Sequence, residues 1–282
     1  MGDYNLSTGS LLFVNLLFTT EVILSQIIPT AEPFFFAGKD TNAKIGCLVI
    51  HGFTGAPKEV RWLGEYLNQQ GYTVCGIRLN GNATKPADMV RSRWQDWLLS
   101  VEDGFNLLRS CTDQVFLLGL SMGGVLSLTA ASTLPVQGVV AMSTPYQLPD
   151  SKLFPLTSPL SWFFPYMPKA RGAPDAGWFD KAAFKQHVAY PKNPVRSAGE
   201  LNKLLAEMRK ALPLVKVPVL LIHSRNDNYV FRESMEKIHA NLGSTDKQMM
   251  WVEGGGHVIT EEPTHTVVFK AAADFINRVA MA

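Results

Sequence analysis

Apolar runs of strand length alternate with amphipathic segments along most of the chain. Because a strand buried on both faces is apolar at almost every position, these runs predict a mostly parallel sheet, and the amphipathic segments predict helices on both of its faces. The predicted strands are 45–50, 72–78, 115–119, 136–142, 217–222 and 247–252. The predicted helices are 58–70, about 92–110, 123–133, 231–241 and 263–280. The pattern is that of an α/β protein.

The alternation stops between residues 145 and 212, where prolines, glycines and aromatic side chains dominate. An insertion at the carboxyl end of a parallel sheet covers the edge where such sheets bind ligands, so this segment is predicted to be a cap. Its aromatic residues are expected mainly to pack the cap onto the body, and some to line an apolar pocket. Within it, residues 197–212 predict an amphipathic helix with Glu200 on its solvated face. The predicted division is an N-terminal extension over 1–31, a body over 32–144 and 213–282, and a cap (lid) insertion over 145–212.

The start of the chain is apolar but is not a clear membrane span. Residues 11–28 are largely apolar, yet Glu21 lies near the middle of the run, and no Lys or Arg precedes Lys39. The charged start of a secretory signal is therefore missing. Three interpretations stay open: an interfacial or oligomer-forming helix, a degenerate membrane anchor, or a non-native extension from a misplaced start. The last is favoured, so the body is predicted to be cytoplasmic, with membrane contact only through this extension.

Composition narrows the class of protein. The 282 residues carry a formal net charge of +2, and Lys and Arg are spread along the chain, so no nucleic-acid partner is predicted. Three cysteines do not suggest a disulfide framework. The sequence has no C-x-x-C or H-x-x-x-H spacing, no P-loop and no dinucleotide fingerprint, so no metal and no cofactor are implied. The oligomeric state is not predicted.

The most informative motif is Gly119-Leu120-Ser121-Met122-Gly123, which lies between a predicted strand and a predicted helix. A G-x-S-x-G in this context is typical of the nucleophile elbow, a tight turn that pushes the serine hydroxyl out of the backbone. Ser121 is therefore predicted to be a nucleophile. The alternative is an ordinary strand-to-helix turn.

A serine nucleophile needs a base, and the base needs an orienting acid. Asp227 follows the predicted strand 217–222, and His257 follows the strand 247–252 on a glycine-rich loop, in the chain order serine, acid, histidine. Both are predicted to complete a catalytic triad. The alternatives are an Asx-turn or helix cap for Asp227 and a structural histidine for His257. Among the other histidines, His187, His239 and His265 are expected to be solvated, and His223 to support the site or to pack.

Acyl transfer passes through a tetrahedral oxyanion that two backbone N–H groups must meet. One is predicted to come from Met122, the residue after the nucleophile. The second is predicted to come from Phe53, in the loop that leaves the strand 45–50, where Gly52 allows close backbone approach. The alternative for this loop is a plain turn between strand and helix.

Together these motifs resemble one group of enzymes. The segments 48–55, 119–124 and 256–260, together with Asp227, are similar to those of bacterial carboxylesterases and monoacylglycerol lipases of the α/β-hydrolase superfamily, and the resemblance covers about residues 32–282. The resemblance implies the α/β-hydrolase fold and the same roles for the triad and oxyanion residues. One departure is visible, because members often have Gly-His-Gly where this chain has Gly81-Asn82-Ala83.

The predicted function is a serine carboxylic-ester hydrolase that works through an acyl-enzyme. Resemblance and the composition of the cap favour short- to medium-chain acyl esters or monoacylglycerols. An amide, lactone or thioester hydrolase, or a perhydrolase, would use the same triad, and a non-catalytic small-molecule-binding protein would share the fold. Haloalkane dehalogenases and epoxide hydrolases carry Asp at the elbow, so Ser121 argues against them.

Overall fold

A computed structural model of the protein describes residues 26–149, 157–169 and 177–282. The strands are β1 (Phe34–Phe36), β2 (Ile45–Ile50), β3 (Thr73–Ile77), β4 (Gln114–Leu120), β5 (Gly138–Met142), β6 (Tyr166–Pro168), β7 (Lys192–Pro194), β8 (Val219–Ser224) and β9 (Lys247–Val252). Seven of them form one sheet in the order β1-β3-β2-β4-β5-β8-β9. Its neighbours are parallel except for the antiparallel pair β1 and β3, and β6 and β7 form a separate antiparallel pair.

Helices cover both faces of the large sheet. They are α1 (Arg61–Gln69), α2 (Pro86–Arg91), α3 (Trp94–Arg109), α4 (Met122–Ala130), α5 (Thr157–Phe163), α6 (Lys181–Gln186), α7 (Val195–Ala211), α8 (Glu233–Asn241) and α9 (His265–Ala280). Apolar side chains of α1 and α9 join one core cluster, and those of α3, α4, α7 and α8 join the other.

The central strands divide their side chains between these two clusters. In β2, Leu48 and Ile50 belong to the cluster of α3 and α4, whereas Cys47 and Val49 belong to the cluster of α1 and α9. Successive side chains of a strand point to opposite faces, so a strand covered on both sides needs apolar residues at every position. This is why the apolar runs of the sequence predicted the strands of the sheet.

The predicted strands and body helices are all present, with shifted ends, and the structure adds details that the pattern did not give. The short edge strand β1 pairs with β3 through Phe34, which packs in the core. Strand β8 runs on to Ser224, so His223 and Ser224 lie in the strand and not in the turn after it. The 3₁₀ turns Asp40–Lys44, Pro57–Val60 and Leu212–Leu214 were not predicted either.

The predicted cap contains elements of two kinds. Helix α7 packs its apolar face, including Leu204 and Met208, into the same cluster as α4. Glu200 of this helix was expected to be solvated, but it is buried, and its carboxylate accepts the Trp94 N–H at 3.3 Å and pairs with Lys203 at 2.8 Å. Helix α5, in contrast, exposes most of its surface. The division into extension, body and cap stays a prediction.

The predicted extension lies mostly outside the described residues, because the description begins at residue 26. Its last part contacts the body: the Ile28 N–H donates to the Ala83 carbonyl at 2.8 Å, and Ile27 and Ile28 pack against Ala31 and Ala56. Among the helices that the structure describes, none is both long and apolar enough to span a membrane.

Candidate active site

Ser121 occupies a strained turn between β4 and α4. Its φ of 54° and ψ of −115° are unusual for a residue with a side chain. The Ser121 N–H donates to the Met142 carbonyl of the neighbouring strand β5 at 2.8 Å, which holds the turn against the sheet. A non-glycine residue keeps such a conformation only where its surroundings impose it, and such residues cluster at active sites.

The glycines on either side of Ser121 are required by close backbone contacts. A Cβ at Gly119 would overlap the backbone of Gly123, and a Cβ at Gly123 would overlap the Ile50 carbonyl of β2. Helix α4 can therefore start directly against the end of the sheet only with glycine at these two positions. This is the contact that the G-x-S-x-G motif predicted.

Asp227 and His257 come together at the carboxyl end of the sheet. They follow β8 and β9, which are neighbours, and His257 Nδ1 lies 2.8 Å from Asp227 Oδ2. The other oxygen of Asp227 accepts the N–H groups of Tyr229 and Val230 at 2.8 and 3.0 Å. The Asx-turn considered as an alternative therefore exists beside the pairing with the imidazole, since each uses its own carboxylate oxygen.

The electrostatics of this pair suit a base and its orienting acid. Burial alone would raise the pKa of Asp227, but the imidazoles of His257 and His223 hold the pKa well below its ordinary value. His223 Nε2 lies 3.2 Å from Asp227 Oδ2, so the histidine expected to support the site or to pack contacts the acid. Burial lowers the pKa of His257, but the Asp227 carboxylate outweighs this and raises it above 6.5.

The loop after β2 is held by an imidazole. His51 Nε2 accepts the Leu79 N–H at 3.1 Å, so the ring hydrogen is on Nδ1, which donates to the Gly52 carbonyl at 2.9 Å. Burial lowers the pKa of His51 to about 4, which keeps the ring neutral at physiological pH. Because the peptide bond is trans and planar, the Phe53 N–H points away from the Gly52 carbonyl that His51 binds.

The second predicted oxyanion donor is at the start of α4. Met122 is the first residue of this helix, so its N–H has no carbonyl four residues earlier within the helix. The positive end of the helix dipole adds to the attraction for a negative oxygen at this point.

The loop with the sequence Gly81-Asn82-Ala83 supports the loop that carries Phe53. The Asn82 side chain is fully buried, and its amide donates to the Gly55 carbonyl at 3.1 Å. Ala83 takes a φ of 60°, a conformation that favours glycine. Tyr190 of the predicted cap donates to the Gly81 carbonyl at 2.8 Å. The Gly81-Asn82-Ala83 sequence therefore still connects to the loop that carries Phe53.

A cavity of about 210 Å³ is lined by three of the five predicted site residues. Ser121, His257 and Phe53 all line it, and the predicted cap contributes Trp178 and His187. A second cavity of about 510 Å³ shares Lys169, Trp178, His187 and Tyr229 with the first. The cavity beside Ser121 therefore adjoins a larger cavity, whose lining residues except Tyr229 belong to the predicted cap.

Sequence reasoning missed a cluster of charged groups in these walls. Glu59 is buried, and burial raises its pKa, although His187 and the Gly52 N–H oppose the shift. His187 was expected to be solvated, but its side chain is only 12% exposed and its Nδ1 lies 2.7 Å from Glu261 Oε2. Burial lowers the pKa of Lys169 to about 8 against the opposing effect of Glu59. These groups belong to distant parts of the sequence, so no local motif identified them.

The chain matches a protein family and two curated bacterial enzymes. The model of the family described as serine aminopeptidase, S33, matches residues 41–264. A carboxylesterase of Bacillus subtilis is 30% identical over 253 residues, which cover 89% of this chain and 98% of that protein. A thermostable monoacylglycerol lipase of Bacillus sp. strain H-257 is 30% identical over 256 residues, which cover 90% and 97%.

Solved structures show the same fold. A structure from work on LipS and LipT, two metagenome-derived lipolytic enzymes, has a TM-score of 0.78 and 32% identity, and covers 90% of this chain and all of that one. A monoacylglycerol lipase of Paleococcus ferrophilus has a TM-score of 0.73 at 20% identity, with coverage of 86% and 97%. The predicted α/β-hydrolase fold and the resemblance to bacterial carboxylesterases and monoacylglycerol lipases are confirmed.

Proposed function

Because the chain belongs to the family described as serine aminopeptidase, S33, we propose that it works as a serine ester hydrolase with Ser121 as its nucleophile. The observation that carries the assignment of residues is the contact between His257 and Asp227, 2.8 Å long, beside the cavity that Ser121 lines. The strained conformation of Ser121 supports the same role. The class of reaction, ester hydrolysis, is supported by the two relatives that are 30% identical, a carboxylesterase and a monoacylglycerol lipase.

The geometry supports a two-step mechanism. Ser121 Oγ attacks the ester carbonyl while His257 accepts its proton, and the Phe53 and Met122 N–H groups bind the oxyanion. His257 then gives the proton to the leaving alcohol, and the acyl group remains on Ser121. Water, deprotonated by His257, attacks this acyl-enzyme, the acid is released, and His257 returns the proton to Ser121 Oγ. Asp227 holds the imidazole in the required tautomer and stabilises its charged form.

The proposed substrates are short- to medium-chain acyl esters or monoacylglycerols. The cavity at Ser121 has a volume of about 210 Å³, and its walls include the apolar residues Leu120, Pro145 and Trp178, which suit an acyl chain. The proposed partner is therefore a small ester. A cytoplasmic location remains part of this proposal, with membrane contact confined to the N-terminal extension.

The test is hydrolysis of p-nitrophenyl esters from acetate to palmitate, and of 1-monoacylglycerols, by the wild type and by Ser121→Ala. We expect the variant to lose kcat by about 10⁶-fold, as triad removal does in a serine protease. Ser132→Ala is the matched control and should keep full activity, because this serine follows α4 and its hydroxyl donates only to the Thr129 carbonyl among the hydrogen bonds described. Equal activity of the wild type and Ser121→Ala would contradict the proposal.

An amide substrate is the second candidate, because the family description names an aminopeptidase. A p-nitroanilide with the same acyl group as the best ester distinguishes the two. The ester proposal predicts a much larger kcat/KM for the ester than for the anilide. A non-catalytic protein would show neither activity, and a fluorophosphonate probe would not label its Ser121.

A further inference from the structure

A carboxylate that the proposed mechanism does not use is buried beside the predicted oxyanion hole. Glu59 lies on the 3₁₀ turn Pro57–Val60, is 5% exposed, and lines the same cavity as Ser121. A carboxylate buried at such a place costs free energy unless hydrogen bonds and charges compensate for the lost water. The contacts of Glu59 therefore show which atoms hold it there.

The first contacts are with the loop that carries Phe53. Glu59 Oε2 accepts the Gly52 N–H at 2.8 Å. A Cβ at Gly55 would overlap the Glu59 carboxyl group, so this group lies against both ends of the loop 52–55. The carboxylate thus restrains a loop that has glycine at both ends.

The second contacts connect Glu59 to the loop that carries His257. The Thr260 hydroxyl donates to the Glu59 carbonyl at 2.5 Å. His187 lies between two carboxylates, with Nε2 3.6 Å from Glu59 Oε1 and Nδ1 2.7 Å from Glu261 Oε2. Thr260 and Glu261 both follow His257 closely in the chain. Glu59 therefore lies where the loop that carries Phe53, the loop that carries His257 and the predicted cap meet.

We infer that Glu59 is a positioning residue for the oxyanion hole, which holds the Gly52 amide so that the following amide, the Phe53 N–H, faces the ester oxygen. An oxyanion donor contributes only if it is in place before the charge develops, at 2.7–3.1 Å from the position of the oxyanion. His51 binds the carbonyl of the Gly52–Phe53 peptide, and Glu59 binds the amide immediately before it. This inference rests on the proposed function, since it assumes the role of Phe53.

The experiment compares Glu59→Ala, which removes the acceptor, with Glu59→Gln, whose side-chain oxygen can still accept the Gly52 N–H. Hydrolysis of p-nitrophenyl butyrate gives kcat and KM, and inhibition by butaneboronic acid reports binding of a tetrahedral anionic adduct. We expect the kcat of Glu59→Ala to fall by about 10- to 10²-fold. The upper figure equals the smallest loss that is typical when an oxyanion donor is deleted. KM should change little, because the oxyanion interaction forms in the transition state. The boronate affinity of Glu59→Ala should fall by the same factor as its kcat/KM. Glu59→Gln should recover most of the wild-type kcat/KM and most of the wild-type boronate affinity.

Glu200→Ala is the matched control, because Glu200 is another buried glutamate whose carboxylate accepts a backbone N–H, here that of Trp94. It should lower the melting temperature and keep the wild-type kcat and boronate affinity. If Glu59→Ala does not fold, Glu59→Asp, whose carboxylate is one methylene shorter, replaces it. A folded Glu59→Ala or Glu59→Asp with wild-type kcat and boronate affinity would overturn the inference. Failure of the proposed function is distinguishable, because the wild type itself would then be inactive or Ser121→Ala would retain activity.

Discussion

The body of the protein and helix α5 of its predicted cap differ in how they bury large aromatic side chains. In the body, Trp97 and Phe116 are fully buried between helices and sheet. At the end of α5 in the predicted cap, Trp162 and Phe163 are 86% and 80% exposed. Trp97 and Phe116 are buried because helices cover both faces of the central strands, whereas α7 is the main neighbour of α5 among the elements that the structure describes.

This difference suggests a division of roles in the site. The predicted triad and oxyanion residues all belong to the body and are held by hydrogen bonds or helix starts at the end of the sheet. Several walls of the two cavities, among them Trp178 and Lys169, belong to the predicted cap. Changes in the body should therefore affect kcat, and changes in the cap should affect which ester is preferred.

The strongest test of this division is Asp227→Asn. Loss of the carboxylate favours the wrong tautomer of His257 and removes the charge that stabilises the imidazolium, so kcat should fall by about 10⁴-fold. The relative rates for esters of different chain length should stay the same, because the walls are intact. Asp246→Asn, which breaks an exposed pair with Arg278 at 2.7 Å, is the control and should be fully active. If Asp227→Asn lowers kcat by less than about tenfold, Asp227 is not the residue that orients His257.

The pH dependence follows from the same pair. His257 acts as a base only when it is neutral, and Asp227 raises its pKa above 6.5 by favouring the charged form. In the wild type, kcat/KM should rise with pH through an inflection above 6.5. In Asp227→Asn the residual activity should have a lower inflection, because the stabilising charge is gone. Profiles of kcat/KM against pH for both proteins make the comparison, and an unchanged inflection would contradict it.

Gly123→Ala tests the backbone contact beneath the nucleophile. The new methyl group would overlap the Ile50 carbonyl, so β2 and α4 must separate, at a cost of about 1–3 kcal/mol in the free energy of unfolding. Activity should fall with stability, because Ser121 and Met122 move with α4. Gly138→Ala is the control, since its methyl group would meet ring atoms of Phe116 and Phe275 at 3.1 and 3.2 Å, which can shift. Chemical denaturation and esterase assays should separate the two variants.

The sequence was most informative where function depends on contacts close in the chain or on the ends of strands. The flanking glycines predicted Ser121, and positions just after the strands β8 and β9 predicted Asp227 and His257. Glu59 could not be recognised in this way, because its partner His187 comes from a distant segment without periodic pattern. Glu200 was assigned to a solvated face for a related reason, since a helical pattern does not show that Trp94 will cover it. Local geometry was predictable, and contacts between distant segments were not.

Trp178→Leu tests whether the cavity walls from the predicted cap determine which ester is preferred. Trp178 lines both cavities, and its ring lies 4.9 Å from that of His187 and 5.6 Å from that of Phe184. The smaller side chain enlarges the space beside Ser121, so the ratio of kcat/KM between long and short p-nitrophenyl esters should rise by about tenfold. Trp62→Leu, at a half-exposed position on α1, should leave this ratio unchanged. If Trp178→Leu lowers kcat equally for every ester, the division of roles is wrong at this position.

Trp162→Ser should have the smallest effect and bears directly on the contrast between body and cap. A side chain that is 86% exposed loses little contact with the protein when it is shortened, so the free energy of unfolding should change by less than about 0.5 kcal/mol. The kcat and KM for p-nitrophenyl butyrate should match those of the wild type. Trp97→Ser in the body removes a fully buried ring and should cost at least about 3–5 kcal/mol. A large destabilisation by Trp162→Ser would mean that α5 buries its aromatic residues as the body does, and the contrast would fail.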